Sequence, residues 1–221
     1  MRWRQYAFPA AVLGIAAIAG IVVLIVNSGG SGGGKKSANG CENVSAPAPK
    51  KVSVKKPTLQ LQRSKTYLAT VDTSCGTFVM QLDSKRAPKT GGSFVTLAKQ
   101  GFYNGLTFHR IAPGFVIQGG DPAGNGTGGP GYKIREQPPK KLIYSEGTVA
   151  MAKGGNEPAG TSGSQFFVVT GSNANLAPDY ALLGKVTKGL DVTHRIEGLA
   201  STSDGPPKQP VVMKKITITE K

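Results

Sequence analysis

An uncharged, apolar stretch of twenty residues, 7–26, lies near the start of this chain. An α-helix needs about twenty apolar residues to cross a bilayer, whereas the apolar part of a secretory signal usually has ~7–15. Arg2 and Arg4 precede the stretch, and basic residues favour the cytoplasmic side. We therefore expect a retained transmembrane anchor over residues 1–27, with the rest of the chain outside the cytoplasm. A cleaved signal and a buried helix are the alternatives.

A polar linker is predicted over residues 28–65. Its first half is rich in Gly and Ser, which favours a flexible tether, and its second half carries Pro and Lys pairs, which favour a stiffer, extended chain. Together with Arg2 and Arg4, the linker holds nine of the fifteen net positive charges. The simplest interpretation is a solvated linker, and the alternative is attraction to an anionic membrane or polymer. We do not expect nucleic-acid binding.

Cys41 in the linker and Cys75 in the following domain are the two cysteines of the chain. Both would lie outside the cytoplasm, where disulfides persist, and a bridge between them would pin the linker to the domain. Two independent thiols are the alternative. The cysteines are far apart and no histidine pair accompanies them, so a zinc site is excluded. We expect no metal and no cofactor.

Residues 66–221 have the pattern of one mainly β domain. Two β-prone runs, 67–71 and 78–82, flank a short turn and predict a hairpin. A helix should begin at Pro88 and stop before Gly101. Further short strands are predicted at 107–111, 115–118, 148–151, 165–169, 182–186 and 211–219, with a second helix at 190–196. Many short strands with Gly-rich loops favour a closed antiparallel β-barrel, although spacing alone does not distinguish it from a sandwich.

The reactive side chains of the domain do not form a hydrolase or metal-enzyme motif. Its two histidines are far apart in sequence, and it has neither a phosphate-binding loop nor a nucleophile elbow. The most informative segment is the run 108–122, FHRIAPGFVIQGGDP, which carries Arg110, Phe115 and Gln118 around a Pro-Gly turn. On two strands joined by this turn, the three side chains could face one cavity.

This run resembles the signature of the cyclophilins. Further stretches agree with the family in the same order, namely 88–94 with 103–105, 163–167 and 183–186. The resemblance covers most of the domain but neither the anchor nor the linker. It implies a closed eight-stranded antiparallel β-barrel with two short helices and peptidyl-prolyl cis-trans isomerase activity on proline-containing polypeptides. We further expect a monomer.

The same resemblance implies a set of pocket residues. Three would act in catalysis and five would bind substrate: Arg110, Phe115 and Gln118, and then Ala152, Gln165, Phe167, Leu176 and Tyr180. An amide resists rotation by ~18–20 kcal/mol, so a catalyst must bind the twisted amide more tightly than the planar forms. Arg110 can donate a hydrogen bond to the prolyl nitrogen as that nitrogen becomes pyramidal. The structural alternatives are that Arg110 only pairs with a surface carboxylate and that the Phe side chains are ordinary core.

The chain departs from the family at three positions near this pocket. Asn175 stands where the family often has Trp, and Tyr180 lies near a position where it commonly has His. Lys153 replaces an Asn that many members carry. Lys153 would place a positive charge on the rim of the pocket, which predicts a preference for acidic residues beside the proline.

The leading functional hypothesis is a membrane-tethered isomerase that assists the folding of exported proteins. It would sit at the cell membrane as a single-pass protein with its C-terminal domain outside the cytoplasm. One alternative is a proline-binding module or holdase without useful catalysis, and another is an adhesin whose basic linker holds anionic polymers. Arg110 favours catalysis, because binding alone does not need such a donor.

Overall fold

The structure, a computed structural model, describes residues 39–221. The predicted anchor at residues 7–26 therefore lies outside the described residues, and its existence stays a prediction. Within residues 39–221 no helix is both long enough and apolar enough to span a bilayer.

The strands and helices follow the predicted order closely. The ten strands of residues 39–221 are β1 (Tyr67–Thr73), β2 (Gly76–Leu82), β3 (Thr107–Ala112), β4 (Val116–Asp121), β5 (Ile134–Arg135), β6 (Thr148–Met151), β7 (Thr161–Ser162), β8 (Phe166–Val169), β9 (Leu182–Lys188) and β10 (Met213–Glu220). The helices in this described part of the chain are α1 (Pro88–Lys99) and α2 (Leu190–Glu197). The two-residue strands β5 and β7 were not predicted, because strands this short leave no periodicity to detect.

Eight of the strands form one curled antiparallel sheet in the order β10-β1-β2-β9-β6-β8-β4-β3. The prediction of a mainly β fold with eight main strands and two helices is confirmed, but the prediction of a closed barrel is wrong. Among the described residues, the edge strand β3 forms one isolated bridge next to β10, between Thr107 and Val212, the residue before β10. Beyond it, Ile111 of β3 pairs instead with Gly205. The ladder stops because the chain before β10 approaches this edge as an irregular loop.

The main core covers one face of the sheet and contains a cluster of aromatic rings. Phe166 meets the rings of Phe94 of α1, Tyr103 and Phe108 edge to face, with ring centroids 5.8–5.9 Å apart, and Phe94 also contacts Tyr103 at 4.9 Å. All four side chains are fully buried. Edge-to-face aromatic pairs of this kind stabilise a core beyond the area they bury. The core thus fixes α1 and the centre of the sheet relative to each other.

Residues 41–61, here called the strap, lie along the domain although the sequence places them in the linker. Four of their backbone amides donate hydrogen bonds of 2.7–3.0 Å to carbonyls of the domain: Glu42 to Ser74, Lys50 to Pro122, Val54 to Pro130 and Leu61 to Pro88. Leu61 is buried and Val54 packs against the main core. The strap also passes directly over Gly92 of α1, where a Cβ would overlap the carbonyl oxygen of Leu59. Cys41 and Cys75 form a disulfide at its start.

Candidate active site

Four neighbouring strands place a row of side chains on the face of the sheet opposite the main core. In β8, Phe166 is buried in the main core and Phe167 in a second, smaller cluster. This alternation follows the two-residue period of a strand that is buried on both faces. The pairing register places Ala150 of β6 and Gln118 of β4 on either side of Phe167, and Arg110 of β3 beyond Gln118.

A chain of hydrogen bonds runs along this row. Arg110 Nη1 donates to Oε1 of Gln118 at 3.0 Å, and Gln118 Nε2 donates to Oε1 of Gln165 at 3.0 Å. Gln165 Nε2 then donates to the carbonyl oxygens of Gly126 and Gly128, both at 2.9 Å. Each amide is oriented by this chain, because a flipped amide would set two donors or two acceptors against each other. Arg110 is thereby coupled to the loop that follows β4.

The other edge of the Arg110 guanidinium contacts Asp204. Nε lies 2.6 Å from Oδ1 and Nη2 lies 2.8 Å from Oδ2, which is a bidentate pair. The exposed fraction is 19% for the Arg110 side chain and 51% for Asp204. Arg110 therefore pairs with a partly exposed carboxylate, as the structural alternative supposed, and also takes part in the hydrogen bonds of the row. No sequence motif links Asp204 to Arg110.

An apolar cluster lies beside these polar groups and contains the other predicted pocket residues. Phe167 and Tyr180 meet edge to face with ring centroids 5.5 Å apart, and both are buried. Four members are only partly buried and form the accessible part of the cluster: Leu142 and the predicted pocket residues Phe115, Ala152 and Leu176. The structure thus brings all eight predicted site residues together, through either the cluster or the hydrogen-bond chain.

Tyr144 supports this cluster and was not predicted from the sequence. Its hydroxyl donates to the carbonyl oxygen of Tyr180 at 2.6 Å and accepts from the Tyr180 amide at 3.0 Å. Burial raises the pKa of Tyr144 to about 12, so its hydroxyl stays protonated near neutral pH. The two hydrogen bonds fix the backbone that carries the Tyr180 ring.

A cavity of about 260 Å³ adjoins the row and the cluster. Its lining includes Gln118, Ala152 and Gln165, together with the pair formed by Lys133 and Glu157 at 3.1 Å. Amide side chains and backbone groups dominate this wall, whereas apolar side chains dominate the cluster. The site therefore offers an apolar surface next to a polar recess, which suits an extended peptide with one compact apolar ring.

Lys153 lines the cavity, as expected, but its charge is paired, so the expectation of a free positive charge on the rim of the pocket is wrong. Its side chain is only 4% exposed, and Nζ lies 2.7 Å from the carboxylate of Asp179. The same Nζ is 5.5 Å from the centroid of the Tyr180 ring. Lys153 therefore packs against the ring of Tyr180. Because its charge is paired and buried, it gives no basis for a preference for acidic substrates.

His109 shows no sign of an acid–base or metal-binding role. Both of its ring nitrogens are buried, and burial lowers the pKa of the ring although the charge of Asp121 opposes this effect. His109 is thus a neutral packing residue. Among residues 39–221, no three His, Cys, Asp or Glu side chains are grouped so that they could hold a metal ion.

Glu197 of α2 joins this helix to the turn between β3 and β4. Its Oε1 accepts hydrogen bonds from the Gly114 amide at 2.7 Å and the Thr170 hydroxyl at 2.6 Å. The His194 ring lies between two carboxylates, 3.1 Å from Glu197 and 3.0 Å from Glu146. These contacts fix the turn that immediately precedes Phe115.

We expect this network to weaken as the pH rises through the raised pKa of His194. A hydrogen bond with Glu197, and the charges of both carboxylates, raise the pKa of His194 above its ordinary value. The stabilisation is therefore complete below the unfolded-state pKa of ~6.5 and is lost as the pH passes the higher folded-state pKa. Because the His194 side chain is 40% exposed and solvent screens its charge, the loss should be only about a few tenths of a kcal/mol. Thermal melts from pH 5.5 to 8.5 should show a decline that His194→Asn removes, and identical profiles would contradict this.

The fold and the site together define a class of protein. A curled eight-stranded sheet with two helices carries an Arg–Gln–Phe row beside an apolar cluster, as the sequence resemblance implied. The family model described as "Cyclophilin type peptidyl-prolyl cis-trans isomerase/CLD" matches residues 68–218. The chain belongs to the cyclophilin-type peptidyl-prolyl cis-trans isomerases, which are enzymes that accelerate cis–trans isomerisation of the peptide bond before proline.

Several relatives from distant organisms support this membership. The chain is 43% identical over 137 residues to a peptidyl-prolyl cis-trans isomerase of Helicobacter pylori, covering 61% of this chain and 82% of that protein. It is 37% identical over 173 residues to peptidyl-prolyl cis-trans isomerase A of Mycobacterium tuberculosis, covering 70% and 93%. A Cryptosporidium parvum cyclophilin structure matches with a TM-score of 0.65 and 31% identity, covering 70% of this chain and 98% of that one. That cyclophilin has also been crystallised in the presence of the dipeptide Ala-Pro.

Proposed function

We propose that the domain accelerates X-Pro rotation by binding the twisted amide, with Arg110 as the hydrogen-bond donor to the prolyl nitrogen. The observation that carries this proposal is the position of the guanidinium, which is fixed on both edges and lies on the same sheet face as the apolar cluster. Rotation needs no proton transfer and no covalent step. A preorganised charged donor that favours the pyramidal nitrogen is therefore sufficient to lower the barrier.

The remaining site residues have roles in holding the peptide around that nitrogen. Phe115, Phe167 and Leu176 would enclose the pyrrolidine ring, because Phe115 and Leu176 belong to the accessible part of the apolar cluster and Phe167 to the buried part beside it. Gln118 and Gln165 line the adjoining cavity and would bind the backbone of the residue before proline. These two roles, binding of the ring and binding of the backbone, match the apolar cluster and the polar cavity wall respectively.

We further propose that the substrates are exported or unfolded polypeptides and that the protein is attached to a membrane. The apolar stretch at residues 7–26 and the basic Arg2 and Arg4 before it support a single-pass anchor with the domain outside the cytoplasm. The disulfide between Cys41 and Cys75 supports the same location, because disulfides persist in oxidising compartments.

A non-catalytic proline-binding module is the second candidate. One observation favours it: the guanidinium of Arg110 is already paired with Asp204, as an arginine with a purely structural role would be. In that case the apolar cluster would still bind proline, but the bound amide would isomerise no faster than in water. Both candidate functions therefore predict binding of proline-containing peptides, and only the first predicts faster cis–trans isomerisation.

A single NMR experiment separates the two candidates. The full-length protein in mild detergent is added in substoichiometric amount to an Ala-Pro peptide, and both chemical shifts and cis–trans exchange peaks are recorded. Uncatalysed exchange takes tens to hundreds of seconds, so we expect exchange peaks at sub-second mixing times only with the protein present. Changes in chemical shift without faster exchange would contradict the proposed isomerase function and support the proline-binding module. Detergent and peptide without protein form the control.

A further inference from the structure

The loop between α2 and β10, residues 198–212, approaches the site at one defined point. Gly205 in this loop and Ile111 in β3 exchange two backbone hydrogen bonds, at 2.7 and 3.1 Å. Asp204 precedes Gly205, and Arg110 precedes Ile111. The hydrogen bonds between Gly205 and Ile111 therefore hold the backbone of Asp204 at a fixed position relative to the backbone of Arg110.

The guanidinium of Arg110 is consequently held from two directions. Asp204 contacts the edge formed by Nε and Nη2, and Gln118 contacts Nη1 from β4. An arginine side chain has several rotatable bonds, and a single hydrogen bond donated to the neutral amide of Gln118 would leave much of that freedom. A planar, bidentate carboxylate contact fixes both the position and the plane of the group.

We propose that Asp204 is a positioning residue for catalysis: its carboxylate sets the plane of the Arg110 guanidinium and thereby aims the donor at the prolyl nitrogen. This inference rests on the proposed role of Arg110. Asp204 acts through Arg110 and not on the substrate, because its carboxylate contacts the edge of the guanidinium. Partly exposed ion pairs add little to stability, so the effect of Asp204 should appear in turnover and not in folding.

The test measures kcat and KM separately for full-length Asp204→Ala, Asp204→Asn and Asp204→Glu. We expect Asp204→Ala to lower kcat roughly three- to tenfold, below the hundredfold that displacement of a reacting group can cause, with KM changed less than twofold. Asp204→Asn should be intermediate because it keeps an acceptor without the charge. Asp204→Glu should recover part of the loss. Unchanged kcat in Asp204→Ala would overturn the proposal.

A matched control is available on α2. Asp191 also pairs with an arginine, Arg195, at 3.3 Å, and its side chain is 73% exposed. Asp191→Asn removes a comparable surface ion pair without touching the site, and we expect its kcat to equal that of the wild type. An equal loss of kcat in both Asp→Asn variants would overturn the proposal, since the loss would then reflect charge and not position.

A double-mutant cycle distinguishes failure of this inference from failure of the proposed function. If Asp204 acts through Arg110, Asp204→Ala should have no further effect in an Arg110→Ala background. The NMR signal of the Arg110 Nε–H should also exchange slowly in the wild type and broaden in Asp204→Ala. If Arg110→Ala alone retains full activity, the proposed function fails. If Arg110→Ala loses activity but Asp204→Ala lowers kcat equally in both backgrounds, only the role of Asp204 is overturned.

Discussion

Replacing Arg110 with alanine should lower kcat/KM for X-Pro isomerisation at least tenfold. A tenfold loss corresponds to ~1.4 kcal/mol of transition-state stabilisation, and removal of a preorganised donor often costs more than this. The substitution also frees Gln118 from its bond to Nη1, so the polar side of the site loses both its charge and part of its order. Exchange NMR on an Ala-Pro peptide measures the loss directly.

This prediction can be separated from a loss of folding. Asp204 is half exposed, so Arg110→Ala leaves no buried unpaired carboxylate, and the melting temperature should change little. Arg86→Ala is a matched control, because Arg86 also pairs with an aspartate, Asp83, but projects from a different part of the surface. Arg110→Lys should recover little activity, since lysine keeps the charge without the planar fork. Wild-type turnover in Arg110→Ala would exclude the proposed mechanism.

The sequence predicts the central half of the site because the relevant residues are close along the chain. Arg110 and Gln118 flank one Pro-Gly turn, so any hairpin at this point brings them within reach. The uninterrupted apolar run Phe166–Val169 indicates a strand buried on both faces. Because both faces of this strand are buried, Phe167 can belong to the apolar cluster of the site while Phe166 belongs to the main core.

Contacts between distant segments could not be predicted in the same way. Asp204 lies 94 residues from Arg110 in a loop without periodicity, and only the pairing of Gly205 with Ile111 brings it into place. Whether the barrel closes likewise depends on where β10 begins relative to β3. One irregular loop, at residues 198–212, sets that position. Such features are set by tertiary packing, and local propensity carries no information about them.

The strap shows how composition can mislead. Its Lys and Pro residues resemble those of a solvated tether, yet Val54 and Leu61 face the domain while the intervening lysines face solvent. The apolar residues that face the domain are too few and too irregularly spaced for the sequence to predict a strand here. Gly92 of α1 carries the complementary signal, because a glycine inside a helix lowers helix stability and needs a packing reason. Here that reason is the backbone of Leu59 lying against it.

Removing the disulfide should lower the free energy of unfolding by roughly 3–4 kcal/mol, the value that the chain-entropy model gives for a loop of this length. Cys41 and Cys75 are separated by 34 residues, and both are fully buried. A double Cys41→Ala, Cys75→Ala variant of the full-length protein tests this by urea denaturation, with activity measured in parallel. We expect turnover to be retained, because the Cys75 turn joins β1 to β2 and the site is built on other strands.

Two further measurements connect this loss of stability to the strap. Reducing the wild-type protein should lower its stability by a similar amount, whereas the double variant should not respond to reductant. The amides of Val54 and Leu61, which bond to Pro130 and Pro88, should exchange with solvent faster in the variant, because the strap is then held at one fewer point. If the double variant unfolds at the same urea concentration as the wild type, the bridge does not tie the strap to the domain energetically. Val54, Leu61 and the backbone contacts would then account for its attachment.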